Sequence, residues 1–494
     1  MSASTAATPA SGDKLAEMLE RINSLTRSAE EAPVRRSPQI PPPPIVPTMV
    51  TAAPAVHVNP EGSASNGAAA GKPPRDRFIP KEPQSLREAG LNESEVEGLI
   101  LKYLLARGEG TGRDLSNQLR LPFSCINDLV VLLKQRHLIA YKGTSMMNDF
   151  QCVLSELGLE RARRLAAHCT YFGSAPVGLE DYIASVKAQT LESQHPTPDK
   201  LAAAFGDLLI NKRMFDRLGP ALNSGRGMFL YGAPGNGKTV IAERVTAVFG
   251  ETVWIPRSLG IDGEIIRLFD PMNHVEAPIE APGTILDDKQ VDQRWVRIKR
   301  PTIVAGGELT MTSLEISENK ATGICEAPLQ LKSNCGTLVI DDFGRQRMSV
   351  DELLNRWIVP LEKRYDYLNL PNGKKVQVPF DQMIVFSTNL EPRDLVDDAF
   401  LRRIPYKIEV VDPTPAEFHE LFRIFCPKFG FTYQPKAIDY LLETHYARAK
   451  RRMKNCHPRD LMLQIRNHCR YQGLQLELRP EYFDFACETY FSIV

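Results

Sequence analysis

Gly232-Ala233-Pro234-Gly235-Asn236-Gly237-Lys238-Thr239 decides how the rest of the chain is read. It follows the apolar run Met228-Phe229-Leu230-Tyr231 and leads into Val240-Ile241-Ala242-Glu243-Arg244-Val245. Strand, glycine-rich turn and helix with the spacing G-x-x-x-x-G-K-T make a phosphate-binding loop. The glycines let backbone N–H groups converge on phosphate oxygens with no side chain in the way. The helix opening at Lys238 adds the positive end of its dipole and N–H groups that lack partners. Lys238 brings a point charge to the phosphates, and the Thr239 hydroxyl is a ligand for Mg²⁺. The expected nucleotide-binding residues are Gly232, Pro234, Gly235, Asn236, Gly237, Lys238, Thr239 and Val240.

A chain of 494 residues is too long for one compact core and divides into two or three domains. Lys+Arg and Asp+Glu balance at 60 each, so no global field draws the chain to nucleic acid or to an anionic membrane. Nine cysteines without a C-x-x-C pair point to free thiols in a reducing compartment. No apolar run approaches the roughly 18 residues of a membrane span, and the N-terminus lacks a signal-peptide core. The expectation from these features is a soluble cytoplasmic protein.

Residues 1–85 are rich in Ala, Ser and Pro and are read as a disordered leader. Within it, Leu15, Met18, Leu19 and Ile22 form one short amphipathic helix, either a docking element or a helix without a role. Residues 86–170 carry a capping-box pair, Asn92 and Glu95, and a helical stripe from Val96 to Leu104. A helix around Arg113–Leu119 and another from Phe123 to Gln135 follow, then two strands and a last helix from Gly158 to Ala167. Three helices followed by a β-hairpin resemble a winged-helix domain. DNA binding through the third helix is one reading, but its polar face offers Ser124, Asn127 and Asp128 and few cations before Lys134 and Arg136. An interaction or spacer module is at least as well supported. Residues 171–226 are read as a linker leading into the nucleotide domain.

From Gly227 onward strands and helices alternate, the pattern of a parallel sheet covered by helices. Strand candidates are Met228–Tyr231, Val253–Ile255, Thr337–Ile340, Met383–Ser387 and Tyr406–Val410. Residues 258–335 read as an insertion. The strand Thr337–Ile340 ends in Asp341-Asp342, at the edge where an α/β sheet places its ligands. Asp341 is the expected Mg²⁺ holder with Thr239, and Asp342 the group that orients or deprotonates an attacking water. Met383–Thr388 ends in Asn389, which either bonds the γ-phosphate or the water, or caps the next turn. Asn372-Gly373 between strand formers signals a hairpin.

The phosphate loop, the strand with paired acids, Ser-Thr-Asn on a strand, and Phe400-Leu401-Arg402-Arg403-Ile404 before a strand resemble the AAA+ ATPases, in order and spacing, over roughly residues 200–494. The resemblance implies an α/β parallel-sheet core over 227–410 and a C-terminal helical lid over 411–494. It implies ATP and Mg²⁺ as cofactors and Asn389 as the first sensor. Arg403, and after it Arg402, becomes an arginine finger toward a neighbouring subunit. His457-Pro458-Arg459-Asp460-Leu461 is similar to the second sensor, with Arg459 facing the phosphates. The family usually has Asp-Glu where this chain has Asp341-Asp342. The implied assembly is a homo-oligomeric ring, a hexamer, remodelling a protein partner.

Two other readings compete. One is a nucleotide-gated scaffold with negligible hydrolysis, supported by the short acid Asp342. The other is a DNA-bound regulator, supported by the winged-helix pattern and the run Arg448, Lys450, Arg451, Arg452, Lys454. A solvated connector is the more frequent meaning of such a run, so nucleic acid is not the favoured partner.

Overall fold

The computed structural model describes residues 78–144, 149–278 and 291–492. The Leu15–Ile22 helix lies outside them. Residues 78–85 belong to the expected leader, yet Phe78 packs on Trp295 with ring centroids 5.4 Å apart, and Lys81 bridges Val291. An aromatic anchor ties down what composition alone assigned to the leader.

The first elements are α1 (Glu93–Arg107), β1 (Glu109–Thr111), α2 (Gly112–Leu119), α3 (Phe123–Gln135), β2 (Ile139–Thr144), β3 (Phe150–Leu154) and α4 (Glu156–His168). Asn92 and Glu95 form the capping box at α1, and Thr111 with Asp114 forms a second at α2. The strands make one antiparallel sheet in the order β1-β3-β2. Leu99, Ile100, Leu115, Ile126, Leu129 and Leu133 fill the core between the helices.

Residues 171–226 hold β4 (Val177–Gly178), α5 (Leu179–Ala188), α6 (Pro198–Ala204) and α7 (Lys212–Asn223). Their apolar side chains are buried: Tyr182 in one core, Phe205 and Leu218 in another. The prolines that suggested a linker start or flank these helices.

Next come β5 (Met228–Tyr231), α8 (Lys238–Arg244), β6 (Thr252–Pro256), β7 (Ser258–Ile261), β8 (Glu264–Arg267), β9 (Trp295–Lys299), β10 (Thr302–Ala305), β11 (Ser317–Asn319) and β12 (Ile324–Glu326). The chain continues through α9 (Leu329–Lys332), β13 (Thr337–Ile340), α10 (Val350–Lys363), β14 (Tyr365–Asn369), β15 (Lys375–Pro379) and β16 (Met383–Thr388). α11 (Pro392–Leu395), α12 (Asp398–Arg403) and β17 (Tyr406–Glu409) complete this region.

A five-stranded sheet in the order β10-β13-β16-β5-β17 organises it, with every neighbouring pair parallel. Its inner strands are continuous apolar runs because helices cover both faces. Alternation still sorts the side chains. Met228, Leu230, Val339, Met383 and Val385 face one core, while Phe229, Leu338, Ile340, Ile384 and Phe386 face the other. The connection from β5 leaves toward β10, and the connection from β16 leaves the other way, to β17. Adjacent strands whose connections diverge leave a crevice at their C-terminal ends.

One expected strand lies elsewhere. Val253–Ile255 falls in β6, which pairs antiparallel with β9, and the edge strand beside β13 is Thr302–Ala305. Both are short β-branched runs, so local propensity cannot choose between them. Residues 258–335 therefore supply a strand of the main sheet. They also supply most of a second, mixed sheet in the order β11-β12-β8-β7-β4. The hairpin expected at Asn372-Gly373 is β14–β15, turning at Gly373 with φ 81°.

Beyond β17, α13 (Pro415–Phe429), α14 (Pro435–Leu441), α15 (His457–Gln472) and α16 (Pro480–Phe491) enclose their own core of Phe418, Phe422, Ile438, Leu461, Ile465 and Phe483. Thr414 and Glu417 cap α13 as a capping box, with Pro415 at its first position. Among the described residues no helix is long and apolar enough to cross a membrane.

Candidate nucleotide site

The crevice at the C-terminal ends of β5 and β16 is lined by the glycine-rich turn. Gly232, Gly235 and Gly237 have φ of 133°, 84° and 86°, a region that side chains disfavour. Space demands glycine at two of them as well. A Cβ on Gly232 would stand 2.5 Å from the Val410 carbonyl oxygen, and one on Gly235 2.7 Å from Cys456 Sγ.

Lys238 opens α8, is buried, and turns back over the loop. Its Nζ donates to the carbonyls of Gly232 and Ala233, each at 3.0 Å, and to Asn389 Oδ1 at 2.7 Å. Burial depresses its pKa, against the pull of Asp341 and Asp342, and the positive charge of Lys454 pushes the same way as burial. The ammonium is thus held by neutral oxygens. Beside it, Thr239 Oγ1 donates to Asp341 Oδ2 at 2.8 Å. β5 and β13 are separated by one strand, which brings loop and acid together from residues 102 apart in sequence. Pro234 and Val240 are exposed, Val240 by 41%.

Asp342 has a left-handed backbone, φ 48°, at a position where a side chain costs about 1 kcal/mol or more. The surroundings hold it there. Gln346 Nε2 donates to the carbonyls of Asp341 at 2.9 Å and Asp342 at 3.2 Å, and the Phe343 N–H donates to the Ser387 carbonyl. The Asp342 carboxylate is exposed and accepts from Asn389 Nδ2 at 3.2 Å. Asn389 therefore bridges Lys238 on one side and Asp342 on the other. Gln346 carried no signal in the sequence, since an amide four residues after an acid is common.

The C-terminal helices close the other wall. The Cys456 N–H donates to the Gly235 carbonyl at 2.9 Å, and Asn455 Nδ2 donates to the Asn236 carbonyl at 3.1 Å. The Asn236 side chain is 1% exposed; it accepts from the Asn455 N–H at 3.3 Å and donates to Asp412 Oδ1 at 2.8 Å. Asp412 also accepts from Lys454 Nζ and Arg452 Nε, each at 2.6 Å. Burial raises its pKa, but the bonds from Lys454, Asn236 and Arg452 outweigh it and hold the carboxyl below its ordinary value. Asp412, Asn455 and Lys454 were missed as site residues; the bonds that reveal them join positions up to 219 apart in sequence.

Three expected residues remain, Arg459, Arg403 and Arg402. Arg459, in the first turn of α15, is exposed and donates to Asp460 Oδ1 at 2.9 Å. Arg403 bonds the Ala399 carbonyl at 3.0 Å and stands 3.5 Å from Glu362, whereas Arg402 is exposed.

Against known families, residues 414–489 match one described as a domain of unknown function (DUF8689). No curated protein matches the sequence. Among solved structures, NtrX from Brucella abortus aligns over 56% of this chain and 55% of its own, at 13% identity and a TM-score of 0.36. The RuvB Holliday junction branch migration motor of Thermotoga maritima aligns over 57% of this chain and 70% of its own, at 13% identity and a TM-score of 0.33. A mutant of the same RuvB gives 57%, 71%, 12% and 0.34. The chain thus spans about half the length of NtrX. Likenesses of this size carry no argument about activity or partner.

Proposed function

We propose that the chain binds Mg²⁺–ATP in the crevice between β5 and β16 and hydrolyses it, as an ATPase of the AAA+ type. The observation that carries this is the Thr239–Asp341 pair, 2.8 Å apart, beside a buried lysine bonded to groups of the loop and to Asn389. A hydroxyl and a carboxylate are the hard oxygen donors that Mg²⁺ selects, so the residues fit the ion. When bound, Mg²⁺ would neutralise phosphate charge.

Lys238 exchanges its carbonyl partners for phosphate oxygens. Asp342 orients the attacking water and takes its proton as the bond to phosphorus forms and the bond to the leaving oxygen breaks. Asn389 fixes Asp342 relative to Lys238, so the two charges keep their spacing during the reaction. Of the two finger arginines, Arg402 is the better placed to reach a neighbour's nucleotide, because Arg403 is engaged within its own chain. Such a site needs a ring of subunits, and its output is conformational work on another macromolecule. For the 86–170 module we favour a protein contact: the exposed positions of α3 are Phe123, Ser124, Asn127, Asp128, Val131, Lys134 and Gln135, with one cation among them. Asp342 supports a second reading, a scaffold that binds ATP and hydrolyses it slowly, because its carboxylate sits one methylene short.

Steady-state phosphate release by the purified full-length chain, with Mg²⁺ and with EDTA, separates the two. Turnover that requires Mg²⁺ supports the ATPase. ATP binding without turnover, with or without added protein or DNA, supports the scaffold.

A further inference from the structure

The segment 448–456, whose residues 448–454 were read from sequence as a solvated basic run, brings a second lysine to the phosphate loop. The Lys454 Cβ lies 3.6 Å from where a Cβ on Gly235 would be. Its side chain is 15% exposed, and its Nζ is spent on Asp412. Asp412 carries one negative charge but meets two cations, Lys454 and Arg452, and the Asn236 amide besides. One cation is surplus to the carboxylate. Arg459 makes a different picture: it stands exposed and bonds to its own neighbour Asp460.

We propose that Lys454 leaves Asp412 for the nucleotide phosphates when the loop fills, and that Lys454, rather than Arg459, is the cation through which the C-terminal helices meet the nucleotide. This rests on reading the loop as an ATP site. After Lys454 turns away, Asp412 keeps Arg452 and Asn236, so no uncompensated buried charge remains. A triphosphate offers the ammonium several anionic oxygens where Asp412 offers one carboxylate already shared. Lys454 and Lys238 repel each other, and phosphate oxygens between them would replace that repulsion with two attractions. The Cys456 N–H and Asn455 bond the loop directly and so set the Lys454 backbone beside it, leaving only the side chain to turn.

The test titrates fluorescent analogues of ATP and ADP into the full-length protein with Mg²⁺. Lys454→Ala should weaken ATP binding by about tenfold, the size of one charge-assisted hydrogen bond, and ADP binding by less. Lys454→Arg should recover most of the loss. Asp412→Asn should shift ATP affinity the other way, because it releases Lys454 and removes a negative charge from the wall. Arg459→Ala should stay within about twofold of the parent, since its bond to Asp460 is a surface contact. A lysine that only braces the wall would make Lys454→Ala and Asp412→Asn weaken binding alike, and ATP and ADP equally; that result overturns the proposal. So does parental ATP affinity in Lys454→Ala, or an equal loss in Arg459→Ala. If Asp412→Asn does not fold, the contrast between Lys454→Ala and Lys454→Arg decides. Should the folded parent bind neither analogue, the loop reading falls and this inference with it. Should the parent bind while Lys238→Ala does not, and Lys454→Ala matches the parent, the inference alone falls.

Discussion

The phosphate loop and the connector that faces it are both short, polar and rich in functional groups, and they differ in how they specify themselves. In residues 232–239 the requirement is local: glycines at set spacings, a lysine, a hydroxyl. In residues 448–456 nothing local distinguishes a wall of the site from a basic surface turn. Its meaning comes from Asp412, 42 residues before Lys454, and from Asn236, 219 residues before Asn455. A motif can be read wherever backbone geometry restricts residue type. A pairing across the fold can be read only once the fold brings its members together.

The strongest challenge to the loop as a reaction site is Asp342→Asn. Removing the carboxylate leaves the cradle intact, so turnover should fall by about a hundredfold or more while nucleotide affinity changes little. Unchanged turnover would assign water activation to another group and leave the left-handed backbone at Asp342 without a purpose.

Asn236→Ala tests whether the two regions act as one unit. The change removes a side chain that is 1% exposed, together with its bonds to Asp412 and Asn455. The expected cost is about 1–2 kcal/mol, a drop in melting temperature of about 2–4 °C, with weaker nucleotide binding as well. A variant that melts like the parent would mean that loop and connector are independent.

How much of this was legible follows the same division. β13 and β16 stand out as apolar runs ending in Asp341 and Asn389, since strands buried on both faces must be apolar throughout. The helical stripes of α1, α3 and α13 are equally local, as are the capping boxes of α1 and α13. β10 was hidden because Thr302–Ala305 and Val253–Ile255 are the same kind of segment, and only pairing with β13 separates them. Gln346 was hidden because its role is to bond two backbone carbonyls, and no residue type announces that. The contact between Arg403 and Glu362 was hidden for the same reason: Glu362 lies 41 residues earlier but comes within 3.5 Å.

A smaller effect concerns how the C-terminal helices respond to acid. His457, at the start of α15, is buried against Tyr446, 2.8 Å from its hydroxyl, and burial pulls its pKa down to about 4. The unfolded chain binds a proton at about pH 6.5, whereas the folded chain does so only near 4, so stability is lost as pH falls between these values. The parent should therefore lose more melting temperature between pH 7 and pH 5 than His457→Gln does. Equal losses would assign the acid response to other groups.

Equilibrium binding of ATP to the full-length protein with Mg²⁺, compared with Lys238→Ala, tests whether the loop holds the triphosphate. Lys238 bonds carbonyls of the loop and Asn389, and burial already disfavours its charge, so its removal should leave the melting temperature near that of the parent. The parent should bind ATP saturably and the variant about a hundredfold or more weaker, because the loop's only formal positive charge is gone. Equal ATP affinity in parent and variant, with both proteins folded, would contradict it.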